Sequence, residues 1–369
     1  MRYSIIVVFN NNYALMSNFL ENLLSTVDEN DSELILYSDG CKDYETIQYL
    51  QKKADISQWI RLILSPQQQG YSIANNCAVS KSTAEYLVFM NSDVFPENGS
   101  VDRLVDYVSH MDMPGAAQGR LIYPQNMLIQ STGHLFCRCY NGHVYTGKAY
   151  DDPLVLREGT RQALTTAFCA MPRNLFWKYG GFNERYYNAY EGMELTLKIS
   201  HDGGKCLYCP DCAAYHATGA TRGFVSFDDE MPGRYFWSTW SQHIQSDLAS
   251  YLRPQITETM REPIYFHIES GTILEWPSVL RELGISFSGT IKLEDRFSRN
   301  IELYRNLPFS SFQYGAPYLF TVNDLSTLKG NKNWAVVRGR RDDLVLDGHG
   351  NVAYLYELTG ANGNLRKTL

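Results

Sequence analysis

The sequence lacks a G-x-G-x-x-G after its first apolar run and has no G-x-x-x-x-G-K-[ST] anywhere, which removes most of the support for dehydrogenase and P-loop readings. It lacks a long basic run, and its formal net charge is −7, which argues against a chain whose main work is gripping nucleic acid. No stretch reaches the about 18 apolar residues needed to span a bilayer. The opening apolar run, Ile5 to Phe9, leads straight into Asn10, Asn11 and Asn12 and is too short for a secretory leader. The expected compartment is therefore cytoplasmic, where the eight cysteines are expected to be mostly free thiols.

What is present is a core-forming composition. Of 369 residues, 44% are apolar and 20% charged, enough for two domains of ordinary size. Short β-branched runs alternate with helical patterns over the first hundred residues. Ile5 to Phe9, Leu34 to Tyr37, Leu62 to Leu64 and Tyr86 to Met90 read as strands. Helices are expected from Leu15 to Val27, from Asp43 to Ala54 with Asp43 as cap, and from Gly70. This alternation predicts an α/β fold with a mostly parallel, doubly wound sheet. Such sheets bind ligands beyond the carboxyl ends of their strands. Three of these strands end in polar groups, Asn10 to Asn12, Asp39-Gly40 and Asn91-Ser92-Asp93. Each alone reads as a turn or a cap, and together they read as a nucleotide site.

The order of these groups resembles family 2 of the inverting glycosyltransferases, which have the GT-A fold (Rossmann-like), and within it the bacterial rhamnosyltransferase-like branch. The likeness is carried by Phe9-Asn10, by Asp39-Gly40-Cys41-Lys42-Asp43, by Gly70-Tyr71-Ser72-Ile73-Ala74-Asn75-Asn76 and by Asn91-Ser92-Asp93. It continues through Gly180-Gly181-Phe182-Asn183-Glu184, Glu191-Gly192-Met193-Glu194-Leu195 and His216. It covers roughly residues 3 to 240.

The resemblance implies a transferase that moves a sugar from a UDP- or dTDP-sugar donor to a hydroxyl of a glycan, lipid-linked or protein acceptor. It implies a nucleotide site of Phe9, Asn10, Asp39, Asn76, Asn91 and Ser92, with Asp39 accepting the N3–H of the base. It implies a Mn2+ or Mg2+ ion held by Asp93 and His216 against the donor diphosphate. The chemistry also requires a carboxylate to take the acceptor proton. Glu191, at the start of a predicted helix, is assigned that task, with Glu194 one turn on as the alternative. Where relatives carry Asp after the Glu, this chain has Gly192. That departure keeps a second reading open, a catalytically silent nucleotide-sugar-binding or scaffold protein.

Cys206, Cys209 and Cys212, followed by His216, have the spacing of a metal site. Cysteines on one alternating strand need not converge on one face, and Pro210 matches the family's strand–Pro–strand pattern, so a packed strand is expected instead. The expected catalytic domain is residues 1–232. An aromatic helix follows within 233–255, from Tyr235 to Leu252, packing on that domain or touching the inner membrane peripherally. Residues 256–369 are expected to form a smaller C-terminal α/β domain that holds an acceptor or joins copies into a homo-oligomer. Asp151 to Thr160 reads as a mobile loop.

Overall fold

A computed structural model describes residues 1–10, 12–137, 140–217, 230–247 and 250–251, together with four short strands at 264–267, 318–322, 344–347 and 352–354. They fall into two compact units: Met1–Leu135 with Gly142–His243, and Phe136–Asn141 with Ile244–Leu369.

The first unit opens with three strand–helix pairs: β1 (Tyr3–Phe9), α1 (Tyr13–Thr26), β2 (Ser32–Asp39), α2 (Tyr44–Ile56), β3 (Ile60–Ser65) and α3 (Tyr71–Ser80). Then come β4 (Tyr86–Met90), β5 (Val94–Pro96), α4 (Ser100–Ser109), β6 (Gly115–Tyr123), β7 (Leu128–Ser131) and the ribbon strands β8 (His134–Cys137) and β9 (Tyr140–His143), of which Phe136–Asn141 is counted with the second unit. The unit closes with β10 (Gly159–Thr160), β11 (Phe168–Pro172), α5 (Arg173–Lys178), α6 (Glu191–His201), β12 (Lys205–His216) and α7 (Glu230–Trp240).

One ten-stranded sheet runs in the order β10-β12-β6-β11-β4-β1-β2-β3, with β5 on β12 and β7 on β6. β3, β2, β1 and β4 are mutually parallel, as the alternation predicts. β11 is antiparallel to both its neighbours, β4 and β6. The pleat sends Ile5, Val7, Val88 and Met90 into one core and Ile6, Leu87 and Phe89 into another. α2 starts where its cap predicts, with the Asp43 carboxylate accepting from the Glu45 N–H at 3.2 Å.

One expectation changes, the length of the aromatic helix. Within Asp151 to Thr160, read as a mobile loop, Leu154 and Val155 are buried and the Tyr208 hydroxyl donates to the Val155 carbonyl at 2.8 Å, while Asp151, Pro153, Leu156, Arg157, Glu158 and Thr160 are exposed. The aromatic helix ends at Trp240 instead of Leu252, because the chain turns at 241–243 after Trp240 is anchored. Its Phe236 and Trp240 are buried in the unit's interior. The cysteines of β12 divide between the two cores, Cys206 in one, Cys209 and Cys212 in the other, and burial pushes the Cys206 and Cys212 thiols up to about 12. Among the described residues, no group of three His, Cys, Asp or Glu side chains is placed to hold a metal.

β12 also bends. Pro210 cannot donate to the ladder, and the pairing with β6 slips between Cys209 and Ala213. Gly119 faces this bulge, where a Cβ would lie 2.5 Å from the Cys212 carbonyl oxygen. Past the bulge the strand picks up β5, which sets His216 opposite Val94.

In the second unit four strands are described: β13 (Ile264–His267), β14 (Tyr318–Val322), β15 (Leu344–Asp347) and β16 (Val352–Tyr354), paired in that order. By sequence, Ile264 to Ile268 and Val352 to Tyr356 read as strands, and β13 and β16 fall inside them, whereas β14 and β15 match no strand so read. The expected helix from Trp276 to Leu283 and the strands at 288–293 and 334–337 lie outside the described residues. Among the described residues no helix is long and apolar enough to cross a membrane.

Candidate functional site

Because β1, β2 and β4 are parallel, their carboxyl ends bring Asn10, Asp39 and Asn91 to one edge of the sheet. Phe9 itself is core, so only its backbone faces that edge. Among the described residues the Asn10 side-chain oxygen, itself buried, has no hydrogen-bond partner, a place for a donor from a bound molecule. The Asp39 carboxylate accepts the backbone N–H groups of Gln69 at 2.7 Å and Gly70 at 3.0 Å. It thereby ties the start of α3 to the end of β2. Each carboxylate oxygen has a second lone pair, so Asp39 retains capacity for one more donor. Gly40 makes the turn possible: at φ +71° its missing Cβ would stand 2.4 Å from the Gln68 nitrogen.

Asn76 is put to a different use from the one expected. Its amide donates to the Phe182 carbonyl at 2.9 Å and to Glu184 at 3.2 Å, and accepts from the Phe182 N–H at 2.9 Å. It latches α3 to the turn at Gly180-Gly181, and its hydrogen-bonding groups serve that turn instead of a nucleotide.

At the end of β4 the chain turns through Asn91, Ser92 and Asp93, with Ser92 and Asp93 both buried. His216 arrives from β12 with its Nε2 3.1 Å from Asp93 Oδ1, and its Nδ1 lies 2.6 Å from the side-chain oxygen of Gln130. The Ala217 N–H donates to the Asp93 carbonyl at 3.0 Å and fixes the two segments together. One carboxylate oxygen and one imidazole nitrogen, side by side, suit a divalent ion such as Mn2+ that takes its remaining ligands from phosphate and water. Next to them His134 and His143 stack at 4.8 Å, and burial and the nearby His216 lower the His143 titration to about 4.

Glu191 is the first residue of α6 and is buried. Two consecutive non-glycine residues, Ala189 at φ 76° and Tyr190 at φ 70°, adopt left-handed backbone immediately before it. Each costs about 1–2 kcal/mol, so packing must hold this elbow. The Tyr190 ring lies 5.2 Å from Phe236 of α7 and 6.4 Å from Tyr186. Glu191 and Asp93 share a neighbour in Tyr71. Burial, then the negative charge of Glu191 and, less strongly, that of Asp93, raise its phenol well above the usual range. The Tyr71 hydroxyl is 3.4 Å from Asn91 Oδ1. The sequence had placed Tyr71 only as a helix start.

Glu194 is more deeply buried, 2% exposed, and already committed: it accepts from Asn183 at 3.0 Å and from the Trp240 indole at 3.1 Å, and lies 3.5 Å from Lys198. Gly192 has no room for a side chain. A Cβ there would fall 2.2 Å from Thr166 Oγ1 and 2.9 Å from Thr166 Cβ. Thr166 thus occupies the volume a second carboxylate would need. Gly192→Ala is expected to lower stability by about 1–3 kcal/mol through overpacking, although alanine is the better helix former. Chemical denaturation checks this, with Thr166→Ala recovering part of the loss. A variant as stable as the parent would show that the contact yields.

The family model described as Glycosyl transferase family 2 matches residues 4–180. An uncharacterised protein of Sinorhizobium fredii is 26% identical over 228 residues, 60% of this chain and 25% of that protein. The O-antigen biosynthesis protein RfbC of Myxococcus xanthus is 25% identical over 258 residues, 66% of this chain and 19% of that protein. The matches thus span a quarter or less of these relatives' length. Among solved structures, the mannosyltransferase PcManGT of Pyrobaculum calidifontis, in complex with GDP-Man and Mn2+, is similar at a TM-score of 0.50 and 13% identity, over 82% of this chain and 84% of that one. GalNAc-T7 with UDP, GalNAc and Mn2+ is similar at a TM-score of 0.53 and 12% identity, over 77% of this chain and 54% of that one. At such identity the likeness is one of fold, and the fold is GT-A.

Proposed function

Residues 4–180 belong to glycosyl transferase family 2, and from that premise we propose that the chain transfers a sugar from a UDP- or dTDP-sugar to an acceptor hydroxyl with inversion, in a single displacement. The observation that carries this reading is the pairing of His216 with Asp93, Nε2 3.1 Å from Oδ1, at the carboxyl edge of the sheet where the Tyr71 hydroxyl lies 3.4 Å from Asn91 Oδ1.

In this reading Asp39, Asn10 and the Phe9 backbone hold the base, and Asn91 and Ser92 line the path to the diphosphate. Asp93 and His216 would hold a divalent cation, which would supply neutralising charge for the leaving diphosphate. Glu191 accepts the proton of the acceptor hydroxyl as that oxygen attacks the anomeric carbon, and the helix N-terminus favours its ionised form. Glu194 is left to hold α6, the Asn183 turn and α7 together. Every residue assigned here lies within residues 1–232, the proposed catalytic domain. Residues 256–369 are proposed to hold the acceptor or join copies, and bacterial polysaccharide assembly is the proposed setting.

The test is UDP and dTDP binding by calorimetry with and without Mn2+, followed by a transfer assay over UDP- and dTDP-sugars. Wild-type protein is expected to bind one of these nucleotides more tightly with Mn2+, and Asp93→Ala to lose that enhancement at least tenfold, as expected when a metal ligand is removed. An absence of nucleoside diphosphate binding would overturn the proposal. Nucleotide binding without turnover would favour the silent protein, the reading that the filled space beside Gly192 supports.

A further inference from the structure

We propose that Gln130 is a positioning residue for the cation corner, its side-chain oxygen holding the His216 ring in the tautomer and orientation that direct Nε2 at Asp93. This rests on the proposed function for its purpose and on hydrogen-bond geometry for its substance. Gln130 sits on β7 with its side chain buried, and its Oε1 is 2.6 Å from His216 Nδ1. An amide oxygen only accepts, so Nδ1 carries a proton. In a neutral ring that leaves on Nε2 the lone pair a cation would need, 3.1 Å from Asp93 Oδ1, an acceptor that competes for the same proton until a cation comes between them. The hydrogen bond made by one imidazole nitrogen decides what the other can ligate.

The backbone that carries the amide is tied on both sides. β7 pairs with β6 through Ile122 and Ile129, which flanks Gln130. The Gln130 carbonyl accepts from the Thr146 hydroxyl at 2.9 Å, and the Ile129 carbonyl from the Gly147 N–H at 2.8 Å. Three separate stretches thus meet on one ring: β12 supplies it, the turn after β4 supplies its carboxylate, and β7 supplies its acceptor. A glutamine that merely filled a polar spot would leave the tautomer of the ring unchanged once replaced.

The experiment compares full-length wild type, Gln130→Leu and Gln130→Glu. Leucine keeps the bulk and removes the acceptor, and glutamate keeps an acceptor. In metal-free protein in mildly alkaline buffer, long-range 15N–1H correlation spectra report which His216 nitrogen is protonated, the signals being assigned by their loss in His216→Asn. Wild type and Q130E are expected to show more of the Nδ1–H form than Q130L, which shifts toward the Nε2–H form that Asp93 accepts. With UDP present, electron paramagnetic resonance of free Mn2+ is expected to show affinity falling about ten- to a hundredfold in Q130L and by less than about threefold in Q130E. Gln130→Met carries the same expectation should Q130L not fold. An unchanged ring together with unchanged Mn2+ affinity in the acceptor-free variant would overturn the inference. Wild-type protein that ignores Mn2+ would overturn the proposed function instead, and the ring spectra would still decide the part of Gln130.

Discussion

Glu191→Gln is expected to cut transfer by about a hundred- to ten-thousandfold, the usual contribution of a general base, while leaving the fold and nucleotide affinity in place. The substitution is isosteric, so the elbow at Ala189 and Tyr190 keeps its packing, and only the proton-accepting oxygen is lost. The measurement is kcat under saturating donor and acceptor, beside UDP binding by calorimetry. A drop in kcat with unchanged UDP affinity separates proton removal from donor capture. Full transfer by the glutamine variant would move the base elsewhere.

Glu194→Leu is expected to do the reverse, acting on stability before chemistry. Its carboxylate receives the Asn183 amide and the Trp240 indole inside the protein. Removing the acceptor leaves the buried Trp240 indole and the half-buried Asn183 amide unmatched and Lys198 without its neighbour, a loss of about 3–5 kcal/mol. For a unit of this size that is a fall of about 10 °C in melting temperature, read by calorimetry or near-UV dichroism. Glu194→Gln, which keeps an oxygen for one donor, should fall between. Two glutamates three residues apart on one helix would then have separable phenotypes. Equal melting temperatures for the wild type and the leucine variant would remove Glu194 from its structural role.

That separation was not legible in the sequence, where the two side chains differ only by distance from the helix start. The parallel strands and the edge bearing Asn10, Asp39 and Asn91 were legible, because a strand of four to seven apolar residues ending in Asn or Asp leaves few alternatives. His216 could be matched to a family pattern, but its 3.1 Å approach to Asp93 depends on the bulge at Pro210 and on β5, a strand of only three residues. Gln130 gave no signal, since a polar residue on a short strand normally faces water. Asn76 misled because an amide at a helix start can serve a ligand or a distant turn, and the turn at Phe182 lies more than a hundred residues on. Gly192 was visible as a departure, and only the packing of Thr166 showed that the departure fills space.

The position of β4 has a consequence for how the polypeptide is made. The strand that ends at Asn91 is flanked on one side by β1, synthesised long before it, and on the other by β11, synthesised long after it. Until Phe168–Pro172 leaves the ribosome, Leu87 to Met90 present an open apolar edge with unpaired amides, a template for another nascent chain. Fragments cut before Pro172 carry that edge permanently, so productive expression requires the ribosome to deliver both halves of the sheet before collapse becomes irreversible.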